Sequence, residues 1–126
     1  MGIDSTKCCN ATADEIAGIR KALDLYCEAS VKGDSKIAES AFAPTATMSF
    51  AENCKLVSVP IKALFDYYDQ TSPQPASYEI TSCNVATDAA IVSIDSKFGE
   101  PRFADMFTLV KDGDDWKIIS KIYHVK

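Results

Sequence analysis

The chain has 126 residues, and 13 lysines and arginines against 18 aspartates and glutamates give it a formal net charge of -5. This length suits a single domain. Because an acidic chain offers little surface for phosphate groups, we expect no nucleic-acid partner. Its apolar runs are far shorter than the roughly 18 to 20 residues that span a bilayer, and its start lacks the apolar core of a signal peptide. We therefore expect a cytoplasmic protein with no membrane partner.

Cysteine and histidine usage argues against metal and disulfide chemistry. The cysteines number five, which is odd, and show neither a paired framework nor ligand spacing: Cys8, Cys9, Cys27, Cys54 and Cys83. The chain has one histidine, His124, which is too few for a histidine-based metal cluster. We expect no metal and no cofactor.

Residues 1–11 precede the first helix signal and have no apolar period, so we expect a disordered leader there, followed by one domain over residues 12–126. An alternative stays open for this segment. Met1 to Thr6 fits the loose myristoylation pattern at Gly2, and Cys8 and Cys9 could carry a second acyl anchor.

The next segment predicts two adjacent helices. Thr12 and Glu15 have the spacing of a capping box, and Gly33 is placed to end the helix that they begin. Its inward stripe follows at helical spacing: Ile16, Ile19, Leu23, Tyr26 and Ser30. Asp34 then caps a shorter helix, with Ile37, Ala41 and Phe42 facing inward until Pro44 ends it.

The pattern then changes to that of strands. Residues 47–50 and 55–59 flank a polar turn at Glu52 and Asn53, which predicts a hairpin. Pro60 suits the first turn of a third helix with Ile61, Leu64, Phe65 and Tyr68 inward, and residues 71–75 end it. Four strands follow over residues 77–86, 89–98, 102–111 and 116–125. We expect an α+β fold in which three N-terminal helices pack on a strongly curved, mainly antiparallel sheet, a cone with an internal pocket.

One carboxylate stands on an apolar strand face. Phe103, Asp105, Phe107 and Leu109 alternate along one strand and therefore share a face. A buried carboxylate without a partner costs several kcal/mol, so Asp105 should be protonated, hydrogen-bonded or in contact with solvent in a cavity.

The last strand predicts a partner for this carboxylate. Alternation places Trp116, Ile118, Ser120, Ile122 and His124 on one face, against Lys117, Ile119, Lys121 and Tyr123 on the other. If Gly113 and Asp114 form a two-residue turn, Leu109 faces Ile118, Asp105 faces Ile122 and Phe103 faces His124. Asp105 and His124 would then be diagonal neighbours, either as ligand contacts or as a structural pair.

The arrangement resembles the nuclear transport factor 2-like (NTF2-like) superfamily, which includes ketosteroid isomerase, polyketide cyclases, scytalone dehydratase and limonene-epoxide hydrolase. It is most similar to the lumazine-binding branch. The resemblance extends from Asp14 onward and rests on Tyr26 with Gly33 and Asp34, on residues 42–48, and on residues 105–122.

Ketosteroid isomerase gives this resemblance a chemical meaning. Its oxyanion hole uses a tyrosine and a protonated aspartate, and Tyr26 and Asp105 fall at the corresponding positions. Phe50 falls where that enzyme has its general base, and a phenyl ring cannot accept a proton.

Two functions remain open. The first is a binder of a small apolar or aromatic molecule, with contacts from Tyr26, Phe50, Phe103, Asp105, Phe107, Trp116 and His124. The alternative is a proton-transfer enzyme of isomerase, dehydratase or cyclase type, with Tyr26 and Asp105 as oxyanion donors and His124 as the base. Related folds commonly pair through the sheet, so we also expect a homodimer in which Tyr123, Ile119 and Val92 lie on the outer face.

Overall fold

The structure, a computed structural model, describes residues 9–126. Over this range it contains three helices: α1 (Ala13–Lys32), α2 (Lys36–Glu39) and α3 (Lys62–Gln70). It also contains six strands, which are β1 (Phe42–Glu52), β2 (Lys55–Pro60), β3 (Ala76–Ala86), β4 (Ala89–Phe98), β5 (Arg102–Asp112) and β6 (Asp115–Val125). None of the helices within this range is long and apolar enough to cross a membrane.

The six strands form one open sheet in the order β2-β1-β6-β5-β4-β3. Neighbours pair antiparallel except β1 and β6, which run parallel. The helices pack against this sheet, with α1 contacting β3 and β6. The predicted α+β fold is therefore confirmed.

The termini of α1 follow from the predicted local signals. The amide of Glu15 donates to the Thr12 hydroxyl and the amide of Thr12 donates to the Glu15 carboxylate, which completes the capping box. At the other end Gly33 adopts the left-handed conformation, with φ of 65°. The inward stripe is also confirmed from Ile19 to Ser30.

The second and third helices are shorter than predicted. The amide of Lys36 donates to the Asp34 carboxylate, yet α2 ends at Glu39 and Phe42 already opens β1. Pro44 therefore lies in a strand rather than ending a helix. It sits where the pairing of β1 with β6 is irregular, between Phe42 and Thr47, so its missing amide hydrogen interrupts no regular ladder. Pro60 likewise ends β2 instead of opening α3.

The hairpin turn between β1 and β2 lies one residue later than predicted. Asn53 and Cys54 both have positive φ, at 53° and 64°, as a two-residue hairpin turn requires. Glu52 consequently pairs with Lys55 as the last pair of the ladder.

The segment before α1 is partly joined to the domain. The backbone of Cys9 forms an isolated β-bridge with that of Cys83 on β3, and both thiols are free. The amide of Asn10 donates to the Cys83 carbonyl, and the Asn10 side chain accepts from the amide of Val85 on the same strand. Cys9 and Asn10, at the end of the predicted leader, therefore contact the sheet, and the leader itself stays a prediction. Gly2 and Cys8, the other residues of the lipidation alternative, lie outside the described residues.

The pairing of β5 with β6 changes phase in the middle of the hairpin. Asp112 faces Asp115 and Leu109 faces Ile118, as predicted. Thr108 then faces Ser120, so Ile119 is an extra residue in β6, a β-bulge. Beyond it the predicted register is wrong: Phe107 faces Lys121, Asp105 faces Tyr123 and Ala104 faces His124.

Because a bulge of one residue exchanges the two faces of a strand, Lys121 and Tyr123 point inward and Ile122 and His124 outward. Lys121 is 5% exposed and Ile122 is 48% exposed. The prediction that Tyr123 lies on the outer face of the sheet is therefore wrong. The same prediction for Val92 is also wrong, because Val92 on β4 is fully buried.

Candidate functional site

A pocket of about 380 Å³ opens between α3, the β1–β2 hairpin and the inward face of the sheet. Most of its wall is aromatic: Tyr26, Phe50, Tyr67, Tyr68, Phe98, Phe103 and Tyr123. Met48, Val59, Ala63 and Leu64 complete its apolar wall. Lys121 supplies the one charged side chain that the described residues contribute to the lining. The pocket is thus an apolar cavity with a single amine, and its volume suits a small organic molecule.

The Lys121 amine lies among aromatic rings rather than carboxylates. Its Nζ is 4.0 Å from the centre of the Tyr123 ring and 5.7 Å from that of Tyr26. Its hydrogen-bond contact is the Met48 sulfur at 3.9 Å, a weak acceptor. No carboxylate among the described residues is within salt-bridge distance of it.

Burial lowers the pKa of Lys121 to about 8, and the negative charge of Asp105 acts in the opposite direction. The two residues are diagonal neighbours on the inward face, because Lys121 pairs with Phe107 and Asp105 with Tyr123. A pKa of about 8 leaves roughly a tenth of the amine neutral at pH 7. The amine can therefore act as a base or as a nucleophile.

Asp105 lies behind the pocket wall and is held by two hydroxyl groups. The Tyr26 hydroxyl donates to Oδ2 at 3.2 Å and the Ser96 hydroxyl donates to the same oxygen at 2.8 Å. Oδ1 is buried and has no hydrogen-bond partner among the described residues. Burial raises the pKa of Asp105, although the charge of Lys121 and the two donated hydrogen bonds act against that rise.

Tyr26 links this carboxylate to the pocket. Its ring forms part of the pocket wall and packs edge-on against Phe98 and Phe107, with ring centres 5.2 Å and 5.3 Å apart. Burial, with the nearby charge of Asp105 as the next cause, raises the pKa of Tyr26 well above that of a free tyrosine. Tyr26 is therefore a neutral hydrogen-bond donor whose hydrogen is directed at Asp105 and away from a ligand.

The structure brings together only some of the residues predicted for the site. Tyr26, Phe50 and Phe103 contribute to the pocket wall. Asp105 and Phe107 are buried behind Tyr26.

Trp116 and His124 lie elsewhere. Trp116 lines a separate cleft beside Gly18, where a Cβ on the glycine would lie 2.7 Å from the indole ring. His124 is exposed on the outer face next to Ile122, so it meets neither Asp105 nor the pocket. The predicted pairing of Asp105 with His124 is wrong because the bulge at Ile119 exchanges the faces of β6.

Sequence reasoning missed Lys121 and Tyr123 for the same reason. Strict alternation assigned both to the outer face. The local hint is the doubled isoleucine, Ile118 and Ile119, which breaks the alternation of apolar and polar residues just before Ser120.

The chain matches known families over nearly its whole length. The profile of a family described as putative lumazine-binding matches residues 14–124. A solved NTF2-like protein of unknown function from Shewanella baltica is 35% identical, with a TM-score of 0.83, over 93% of this chain and 98% of that one.

Two further relatives carry more specific names. The protein named aldolase FrzH, from a Cladobotryum species, is 27% identical over 117 residues, which are 90% of this chain and 93% of that protein. A ketosteroid isomerase-like protein from Erwinia carotovora atroseptica is 15% identical with a TM-score of 0.68, over 90% of this chain and 98% of that one. The latter likeness concerns the fold alone.

Proposed function

We propose that this chain, a member of the putative lumazine-binding family of NTF2-like proteins, binds a small, mostly apolar molecule in the aromatic pocket. The observation that carries the proposal is the lining, in which eleven apolar or aromatic side chains surround one amine. Displacing water from such a wall favours an apolar ligand by about 25 cal/mol for each Å² that is buried.

The polar end of the ligand is expected to face Lys121. Among the described residues, the Lys121 amine has only the Met48 thioether as a hydrogen-bond contact, so the amine can still donate to a ligand. The Tyr26 hydroxyl already donates to Asp105, so Tyr26 offers the ligand the apolar surface of its ring. A fused heterocycle as polar as lumazine would leave several of its own polar atoms unpaired in this wall, which disfavours it.

Filling the pocket tests this proposal. Ala63 lies in the wall on α3, so Ala63→Trp is expected to abolish binding of the neutral fluorophore Prodan, which has an apolar naphthalene ring and a carbonyl group. The blue shift of Prodan emission measures binding. A separate titration with lumazine provides the polar comparison.

The matched control is Ala17→Trp, an equally large change at an exposed position of α1. It should bind Prodan like the unmodified protein. Equal Prodan binding by both variants, or binding of lumazine alone, would remove the apolar-ligand proposal.

Catalysis is a second candidate function, and Lys121 is the observation that favours it. His124 cannot serve as the base because it lies on the outer face. The Lys121 amine, with its pKa of about 8, is the basic group that the described residues place in the pocket. The relative named an aldolase adds support for chemistry at a carbonyl group.

We also propose that two copies pair through the outer face of the sheet. The outer patch is defined here by five exposed apolar side chains on β4, β5 and β6: Ile91, Met106, Val110, Ile119 and Ile122. An apolar patch of this kind is typical of a surface that a second copy covers.

A further inference from the structure

We infer that Lys121 forms a covalent imine with a carbonyl group of the pocket's ligand, which makes an aldehyde or ketone on an apolar skeleton the ligand class. This inference rests on the proposed binding of an apolar molecule and assigns its chemistry.

The geometry around Nζ favours a nucleophile over an ion-pair partner. The amine is in the pocket wall yet almost entirely buried, and the Tyr123 ring lies 4.0 Å from it. No carboxylate among residues 9–126 is within 4 Å to hold it as an ammonium ion. An amine in an apolar pocket without a close counter-ion is the usual setting of an imine-forming lysine.

The charge of Asp105 opposes a carboxylate ligand when the amine is neutral. Asp105 is the nearest acidic residue on the inward face, and it would repel a second anion in the pocket wherever no positive charge on Lys121 offsets that repulsion. A neutral carbonyl group meets no such repulsion, and its oxygen can accept a hydrogen bond while its carbon approaches Nζ. A carbonyl compound therefore fits the amine better than an acid does.

The chemical step needs only the amine, the carbonyl compound and proton transfer. Nζ of the neutral amine attacks the carbonyl carbon, so that a C–N bond forms as the C=O π bond breaks, and the proton released by nitrogen passes to oxygen. The hydroxyl group of this carbinolamine then takes up a proton, its C–O bond breaks and it leaves as water. The nitrogen lone pair completes the C=N bond, and the nitrogen gives up its remaining proton, which balances the one taken up by the hydroxyl group.

Burial makes the neutral amine far more abundant at Lys121 than at a surface lysine. With a pKa of about 8, roughly a quarter of the amine is neutral at about pH 7.5, against about one part in a thousand for the ordinary value of 10.5. The concentration of reactive, neutral amine at Lys121 should accordingly exceed that at an exposed lysine by roughly two hundredfold. Titratable groups face this amine from four elements: Tyr26 on α1, Tyr67 and Tyr68 on α3, Asp105 on β5, and Tyr123 on β6.

The test uses benzoylacetone, an apolar 1,3-diketone whose imine rearranges to a stable conjugated enaminone. Denaturing mass spectrometry should show one adduct with the mass of the diketone less one water, and peptide mapping should place it on Lys121. Lys121→Met should lose the adduct. Lys111→Met, a change at an exposed lysine, should form it like the unmodified protein.

Native mass spectrometry distinguishes a failure of the imine inference from a failure of the binding proposal. Benzoylacetone bound without water loss by the unmodified protein, with no adduct at Lys121 even after borohydride reduction, would overturn the imine and leave the binding proposal intact. Absence of any complex would overturn both. Binding of 4-phenylbutyrate that requires Lys121, without a diketone adduct, would assign the amine to a carboxylate and also overturn the inference.

Discussion

Burial of Lys121 reduces the stability of the fold wherever the amine is protonated. The folded state holds it at a pKa of about 8, whereas the unfolded chain returns it to about 10.5. Below pH 8 both states carry the proton, and the whole penalty of burying the charge is present. Between these two values the unfolded state binds a proton that the folded state has released, so stability rises with pH.

Lys121→Met should therefore raise the free energy of unfolding at pH 7 by about 2 kcal/mol. The difference of pKa corresponds to an upper value of about 3 kcal/mol, in which the attraction between Lys121 and Asp105 is already included. Imperfect packing of the new methionine side chain offsets part of it. The gain should shrink as pH rises from 8 toward 10.5. Urea unfolding at several pH values measures it.

Two comparisons keep this prediction specific. Burial raises the pKa of Cys27 and of Cys83 to about 12, so these thiols make stability fall above about pH 9 in the variant and the unmodified protein alike. The difference between the two proteins cancels that effect. Lys111→Met is the exposed control, and a stability gain at Lys121 that did not change with pH would contradict the argument.

Single residues were predictable where local pattern alone decides burial. Alternation predicted an inward Asp105, and the structure buries it. Its hydrogen bond from Ser96 was not predictable, because that contact depends on how β4 is aligned beside β5. Lys121 was missed because a lysine is almost never buried, so composition gives no reason to move it inward.

Whole elements followed the sequence closely where turns and caps mark their ends. All four strands of the final meander were predicted to within a residue at each end, because turns of two or three residues fix both the ends and the starting register. The bulge at Ile119 was not predictable in the same way. It depends on the neighbours of β6 on both sides, and β1 pairs with β6 across its own irregularity.

The bulge gives a prediction for thiol accessibility along β6. In a Cys54→Ser background, His124→Cys should react with a maleimide at the rate of an exposed thiol, and Lys121→Cys should react more slowly by about tenfold or more. The reason is that the two positions lie on opposite faces: His124 is exposed and lies outside the outer patch, whereas Lys121 is 5% exposed. Peptide mapping by mass spectrometry follows each site, and the reverse order of rates would mean that β6 has no bulge.

At the scale of the whole molecule, the outer patch makes a prediction for assembly. Met106 and Ile122 face each other across β5 and β6 and form the centre of the patch. In a symmetric dimer a charge placed there meets its own copy, so Met106→Glu should convert a dimer into a monomer at micromolar concentration. Sedimentation equilibrium measures the mass.

Leu56→Glu is the matched control for this prediction. Leu56 is 80% exposed on β2, outside the outer patch, so its replacement should leave the dimer intact. A monomeric unmodified protein, or dissociation caused by both changes, would argue against pairing through the patch.

The bulge at Ile119 also means that the sequence of β6 encodes two alternative pocket linings, one for each of two frames that differ by one residue. In the present frame Lys121 and Tyr123 face inward. One residue inserted between Ser120 and Lys121 would shift every later position by one, which would turn Ile122 and His124 inward without a single substitution. The amine would then point outward and the inserted residue would take its place in the pocket wall, so a family built on this hairpin can exchange one pocket chemistry for another through a change of length.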